Sequence, residues 1–182
     1  MNVRFDSTLT RFVEEAKRYP MLTLEREREI SIAYHDRKDR AALDELVGSH
    51  LRLVVKIARG FVGYGLPLAD LVAEGNIGLM QAAEKFEPAR GFRFATYAMW
   101  WIRAAIQEYI LHSWSLVKIG TTAAQKKLFF NLRRLKAKME QFEQGDLAPE
   151  AVAAIAKDLD VSESEVIDMN RRRSEERRVG KE

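Results

Sequence analysis

At 182 residues the chain has room for one good core, or for one helical domain with a smaller one beside it. It contains no cysteine, which excludes a disulfide scaffold, a thiolate nucleophile and a cysteine zinc site. The net charge of +3 and pI of about 9.2 suit a polyanionic partner without requiring one, and no stretch reaches the roughly eighteen apolar residues of a membrane span.

Only helices are signalled in chain order. Phe5 to Tyr19 reads as a short amphipathic segment, with Leu9, Phe12, Val13 and Ala16 at helical spacing. After Pro20, Thr23 can cap a second helix to about Tyr34. Asp39 can cap a long third one carrying Leu43, Leu46, Val47, Val54, Ile57, Ala58 and Phe61, which Gly63 and Gly65 then stop. Pro67 sits in the first turn of a fourth helix that runs to about Lys85. Its interior glycines, Gly75 and Gly78, each cost about 1 kcal/mol relative to alanine, so either another backbone of this chain or a partner must come close there. Glu87 to Gly91 is a loop.

The next helix is expected from near Thr96 to about His112, and a further one from about Thr122 to Gln141. Gly145 and Asp146 break the chain. Ala148–Asp160 and Ser162–Met169 then read as two short helices with the spacing of a helix-turn-helix or of a plain helical hairpin. The expected fold class is all-α, with an N-terminal helix (1–20), a central helical domain (21–112), and a basic helix with a small helical domain (113–172). Residues 173–182 read as the in-frame translation of a sequencing adapter and are left out of that fold. Without that tail the net charge of +3 becomes +2, and the natural chain is expected to continue beyond Arg172.

Between Phe92 and Trp101 lie five large aromatic rings in ten residues, among arginines, and no carboxylate occurs from Pro88 through Gln107. Rings attract unstacked bases and arginines attract phosphates. A second basic stretch, Ser113–Met139, holds seven cations and no Asp or Glu. On a helix, Tyr97, Trp100, Trp101 and Ala104 share one side, continued by Arg103 and Gln107. Ala98, Ile102, Ala105, Ile106 and Tyr109 form a separate apolar stripe that can rest on Leu79, Ala82 and Phe86. Tyr97, Trp100 and the loop rings Phe92 and Phe94 can then receive bases, the alternative being ordinary burial; two adjacent tryptophans point about 100° apart and should not be equally buried. His35, His50 and His112 have no ligand spacing and no phosphate loop is present, so neither an enzyme nor a metal or cofactor site is expected.

Two motifs are distinctive. Asp70-Leu-Val-Ala-Glu-Gly-Asn-Ile-Gly-Leu-Met-Gln-Ala-Ala-Glu-Lys-Phe86 and Arg90-Gly-Phe-Arg-Phe-Ala-Thr-Tyr-Ala-Met-Trp-Trp-Ile-Arg-Ala-Ala-Ile106 resemble the central region of bacterial RNA polymerase sigma factors of the housekeeping-like class. Gln125-Lys-Lys-Leu-Phe-Phe-Asn-Leu-Arg133 resembles a short box distinctive of the heat-shock members. Gly63-Tyr-Gly-Leu-Pro67 and Val117-Lys-Ile-Gly-Thr-Thr122 lean the same way. The resemblance covers roughly residues 22–169.

The resemblance implies that the helix from Asp70 docks on the clamp of core RNA polymerase through Asp70, Glu74, Asn76 and Met80, with Gln125, Lys126, Lys127, Phe129 and Phe130 as a second contact. Read without it, the two acids are a solvated helix start favoured by the N-terminal dipole. It further implies that the upstream (-10) promoter element is read as separated DNA. Phe86, Thr96, Tyr97 and Trp100 would hold a flipped adenine of the non-template strand, Trp101 would stand at the duplex edge, and Arg90, Arg93, Arg103 and Lys118 would position phosphates. Housekeeping members carry a glutamine where this chain has Ala104, and some members a His and a Glu where it has Thr122 and Gln125, so neither of those readouts carries over. The family's second DNA-binding domain is not expected within these 182 residues, in keeping with a natural chain that continues beyond Arg172.

The expected function is therefore transcription initiation from heat-shock promoters in the cytoplasm, with anti-sigma or chaperone regulators of the kind that class usually has. The alternatives are a helical adaptor that binds only protein, and a sigma factor of the housekeeping or stationary-phase type.

Overall fold

The computed structural model describes residues 7–113, 122–138 and 147–179, with side chains described at all of these except 133, 137, 138 and 173–179. Two compact units emerge, Met1–Trp114 and Ser115–Glu182. Among the described residues there are only helices and turns, and no helix is long and apolar enough to cross a membrane.

The first unit holds α1 (Ser7–Arg18), α2 (Leu24–Arg37), α3 (Arg40–Arg59), α4 (Leu68–Lys85) and α5 (Phe94–Ser113). The expected caps form. Thr23 Oγ1 accepts from Arg26 N at 3.2 Å to open α2, and Asp39 Oδ1 accepts from the amides of Ala41 and Ala42 to open α3. Helix α2 ends when Lys38 takes a left-handed φ of 54° and donates its amide to the Tyr34 carbonyl. Helix α3 stops before the expected Gly63, because Gly60 N turns back to the Ile57 carbonyl at 3.0 Å and a 3-10 turn follows at Val62–Tyr64. Leu43, Leu46, Val54 and Ala58 on α3 are buried, as are Leu9 and Ala16 on α1.

α4 and α5 form the most extensive packing in this unit, with α3 against both. The glycines of α4 explain how close they come. A Cβ on Gly78 would sit 2.5 Å from the Trp101 carbonyl oxygen and 3.0 Å from Ala105 Cβ, and one on Gly75 would meet Val54 Cγ1 at 2.6 Å. Of the two explanations offered by the sequence, close approach within this chain is the one observed. Gly78→Ala should gain about 1 kcal/mol of helix propensity yet lose more to the clash with backbone, for a net destabilisation of about 1–3 kcal/mol by chemical denaturation. An unchanged midpoint would mean that the two helices part freely.

α5 begins two residues earlier than expected, at Phe94. Its buried stripe is Phe94, Ala98, Ile102, Ile106 and Ile110, while Ala105 and Tyr109 are only half-buried. Phe94 is therefore not a loop ring open to bases. It is fully buried, edge-on to His50 at 4.8 Å and to Phe86 at 5.2 Å.

The second unit holds α6 (Ala123–Lys138), α7 (Pro149–Leu159) and α8 (Glu163–Val179). Thr122 Oγ1 accepts from Gln125 N at the head of α6. Leu128, Phe129, Leu132 and Leu135 are buried, with Val152, Ile155 and Leu159 of α7 and Val166 and Met169 of α8. The corner before α8 is a capping box: Glu165 N donates to Ser162 Oγ, and Glu165 Oε2 accepts from Ser162 N at 2.9 Å. That amide holds the Glu165 carboxyl below the usual carboxylate range. α8 continues past the expected end at Met169 to Val179, since no glycine or proline intervenes before Gly180. Phe5, the breaks at Gly145 and Asp146 and the helix end near Gln141 lie outside the described residues.

Candidate nucleic-acid interface

Where α4 runs out and α5 begins, the chain makes two tight turns, with Pro88–Arg90 as a 3-10 turn and Gly91 at a left-handed φ of 78°. This folds the end of one helix over the start of the other and leaves a pocket of about 340 Å³. Its walls are Phe86, Thr96, Tyr97 and Trp100, joined by Phe92, and its rim carries Lys85, Glu87 and Arg90. Such a volume lies at the small end of the roughly 300–1,000 Å³ range of ligand sites. The lining is aromatic with a mostly cationic edge.

The rings are arranged in order of increasing exposure. Phe86 is buried at the base, 5.6 Å from the Tyr97 ring, whose hydroxyl donates to the Lys85 carbonyl at 3.3 Å. Tyr97 is 6.1 Å from Trp101, and Lys85 Nζ lies 4.5 Å over the Trp101 ring. Trp101 is half-buried and has one face taken by that ammonium. Trp100, by contrast, is 71% exposed, and Phe92 is 68% exposed. The two adjacent tryptophans thus differ in burial, and Trp100 is left as a wall with nothing of this chain stacked on it among the described residues.

The arginines do not share one fate. Arg90 pairs with Glu87 at 2.7 Å across the open rim, an exposed contact worth little. Arg103 is exposed with no ion pair among the described residues. Arg93 is expected to hold phosphate, but its side chain, although 48% exposed, is paired with a carboxylate of this chain. Its Nε and Nη2 donate to the two oxygens of Glu27 at 3.1 and 3.0 Å, which raises its pKa further. The salt dependence of single-strand binding should show the difference: Arg103→Met reduces the slope of log K against log salt by roughly 0.7, whereas Arg93→Met leaves it unchanged. A lower slope for Arg93→Met would return that residue to the phosphate contacts.

Glu27 itself is 3% exposed, and Oε1 also accepts from Phe94 N at 2.9 Å. His50 lies beside it, with Nδ1 toward the Leu46 carbonyl at 2.8 Å and Nε2 3.9 Å from Glu27. Burial holds His50 below its usual pKa, against the opposing pull of the Leu46 carbonyl and of Glu27. Glu27 carries no motif of its own. The signal that could have found it is negative: Arg93, the residue before α5, has no side chain able to cap that helix. Lys85 and Glu87 were also missed, although they flank Phe86 in the sequence, Lys85 inside the motif and Glu87 just after it.

On α4, Asp70 and Met80 are exposed, as is Ile77, while Glu74 and Asn76 are half-buried. Tyr109 OH donates to Asp70 Oδ2 at 3.3 Å, and Asn76 Oδ1 is buried without a hydrogen-bond partner. Gln107 is half-buried on α5. On α6, Lys126 and Lys127 are exposed and Gln125 and Phe130 half-buried. Phe129 is fully buried, so it serves the core of its own unit rather than a docking surface. Lys118 lies outside the described residues. No group of three His, Cys, Asp or Glu able to hold a metal occurs among the described residues.

Residues 46–115 match the family described as sigma-70 region 2. These residues are a sigma-70 region 2. Region 2 thus contains α4, both turns, α5 and every wall of the pocket, whereas Glu27 precedes it and α6 follows it. The chain is 59% identical over 167 residues to the RNA polymerase sigma factor RpoH of Rhizobium radiobacter, covering 92% of this chain and 56% of that protein. It is 57% identical over 169 residues to RpoH of Caulobacter vibrioides strain NA1000 / CB15N, covering 93% of this chain and 57% of that protein. It is 46% identical over 165 residues to the RNA polymerase sigma-C factor of Myxococcus xanthus, covering 91% and 56%. The chain therefore spans little more than half the length of these curated relatives.

Proposed function

We propose that this chain acts in the cytoplasm as a sigma factor rather than as an enzyme: it binds core RNA polymerase and directs recognition and melting of the upstream (-10) element at heat-shock promoters. The reading is carried by one observation, the pocket in which Phe86, Thr96, Tyr97 and Trp100 converge beneath a cationic rim. A flipped adenine of the non-template strand enters it and stacks on Trp100, while Arg103 and Lys85 face the backbone. Separating DNA costs about 1.4 kcal/mol per stacked step, and each captured base returns roughly 1–3 kcal/mol, so two or three captured bases hold the strands apart without ATP.

Docking falls to the α4 face bearing Asp70, Glu74, Asn76 and Met80, extended by Ile77. Its support is the exposure of the apolar side chains Ile77 and Met80, which a partner surface would cover. Identity of 57–59% to the RpoH proteins favours the heat-shock assignment over a housekeeping or stationary-phase one. An adaptor that binds only protein would leave the pocket and Trp100 without a role. The test is to mix the chain with core RNA polymerase and a fork-junction promoter probe. A salt-stable complex of all three is expected, and a binary complex that ignores the probe would overturn the reading.

A further inference from the structure

The wall of the pocket is built on the first two turns of α5, and nothing in those turns caps them. Arg93, the residue before the helix, offers only donors, yet a helix start needs an acceptor for its free amides. The acceptor comes from α2, where Glu27 takes Phe94 N at 2.9 Å. The same carboxylate grips Arg93 through two further N–H groups at 3.1 and 3.0 Å. It is thereby tied to two of the three residues, Arg93 and Phe94, that stand between the pocket residue Phe92 and the pocket residues Thr96 and Tyr97. A buried carboxylate with three donors, placed at the positive end of the helix dipole, fixes both the angle at which the chain enters α5 and the rotation of the helix about its axis.

We propose that Glu27 is the positioning residue of the base pocket: through Phe94 N and Arg93 it sets where Tyr97 and Trp100 stand relative to Phe86 and Phe92, so that α2 governs the capture of a base it does not touch. This rests on the proposed capture of an unpaired base, and it commits to a geometric role that depends on the reach of the carboxyl group. Shortening the side chain by one methylene withdraws the acceptor from Phe94 N, whereas neutralising it at full length does not.

The experiment uses the full chain bound to core RNA polymerase and two fork-junction probes, one with adenine and one with an abasic site at the unpaired position. For each variant it compares the ratio of the two affinities with the affinity for polymerase alone. Glu27→Asp should lower the adenine preference roughly tenfold, and Glu27→Gln should stay within about twofold of the unsubstituted chain, with polymerase affinity unchanged in both. A role confined to stability or charge would move the polymerase affinity in parallel or reverse the order of the two variants, and either result overturns the inference. An undiminished preference in Glu27→Asp overturns it alone. If the unsubstituted chain itself shows no preference for adenine, the capture reading falls and takes this inference with it.

Discussion

Replacing Trp100 and Tyr97 together by alanine is expected to abolish promoter opening while leaving the affinity for core polymerase within about twofold, because the rings return roughly 1–3 kcal/mol per stacked base and touch nothing on the docking face. The loss should read as about ten- to a hundredfold in probe affinity for each base released, and as absent permanganate reactivity of thymines in the -10 element. The fold should survive. Trp100 is 71% exposed, and the stripe that anchors α5, from Phe94 to Ile110, is untouched. Tyr97 contributes somewhat to structure through Phe86 and the Lys85 carbonyl, so Trp100→Ala alone is the cleaner control. Equal loss of polymerase and promoter binding would refute the division of labour between α4 and α5.

Phe94→Ala should do the opposite. The ring is sealed between His50 and Phe86, so its removal opens a cavity and costs about 3–5 kcal/mol. For a unit of this size that lowers the thermal midpoint by more than about 10 °C, with polymerase and DNA binding failing together. A platform for bases would behave differently: the midpoint would hold and only DNA binding would fall. Phe92 and Phe94 are two positions apart in the same motif, and this pair of outcomes separates a pocket wall from a core residue.

Much of the fold was legible because its signals are local. Thr23 and Asp39 cap helices by side chains that reach two or three residues along the chain, and apolar spacing then marks the buried face of α3. Phe86, Thr96, Tyr97 and Trp100 were named together through the family resemblance, and they do converge in space. What escaped depends on contacts distant in sequence. The start of α5, the burial of Phe94 and the capture of Arg93 all follow from Glu27, a residue 67 positions before Phe94. The end of α3 was missed because Gly60 closes it by a backbone turn that the later, stronger glycine pair obscured. Phe129 and Phe130 are adjacent rings at an angle of 84°, and composition could not say which of them faces inward.

Arg93 and Arg103 illustrate the same limit for function. Both stand in the carboxylate-free stretch that suggested phosphate binding, and by composition they are equivalent. Tertiary structure brings a carboxylate to one and none to the other, among the described residues. A charge count along the chain therefore overstates the surface available to DNA, and pairing decides which cations remain for it.

The most direct measurement is the affinity of the unsubstituted chain, bound to core RNA polymerase, for fork-junction probes that differ only in carrying adenine or an abasic site at the unpaired non-template position. Stacking against Trp100 predicts that the adenine probe binds roughly ten- to a hundredfold more tightly. Equal affinities for the two probes would contradict it, leaving the aromatic pocket without a base to hold.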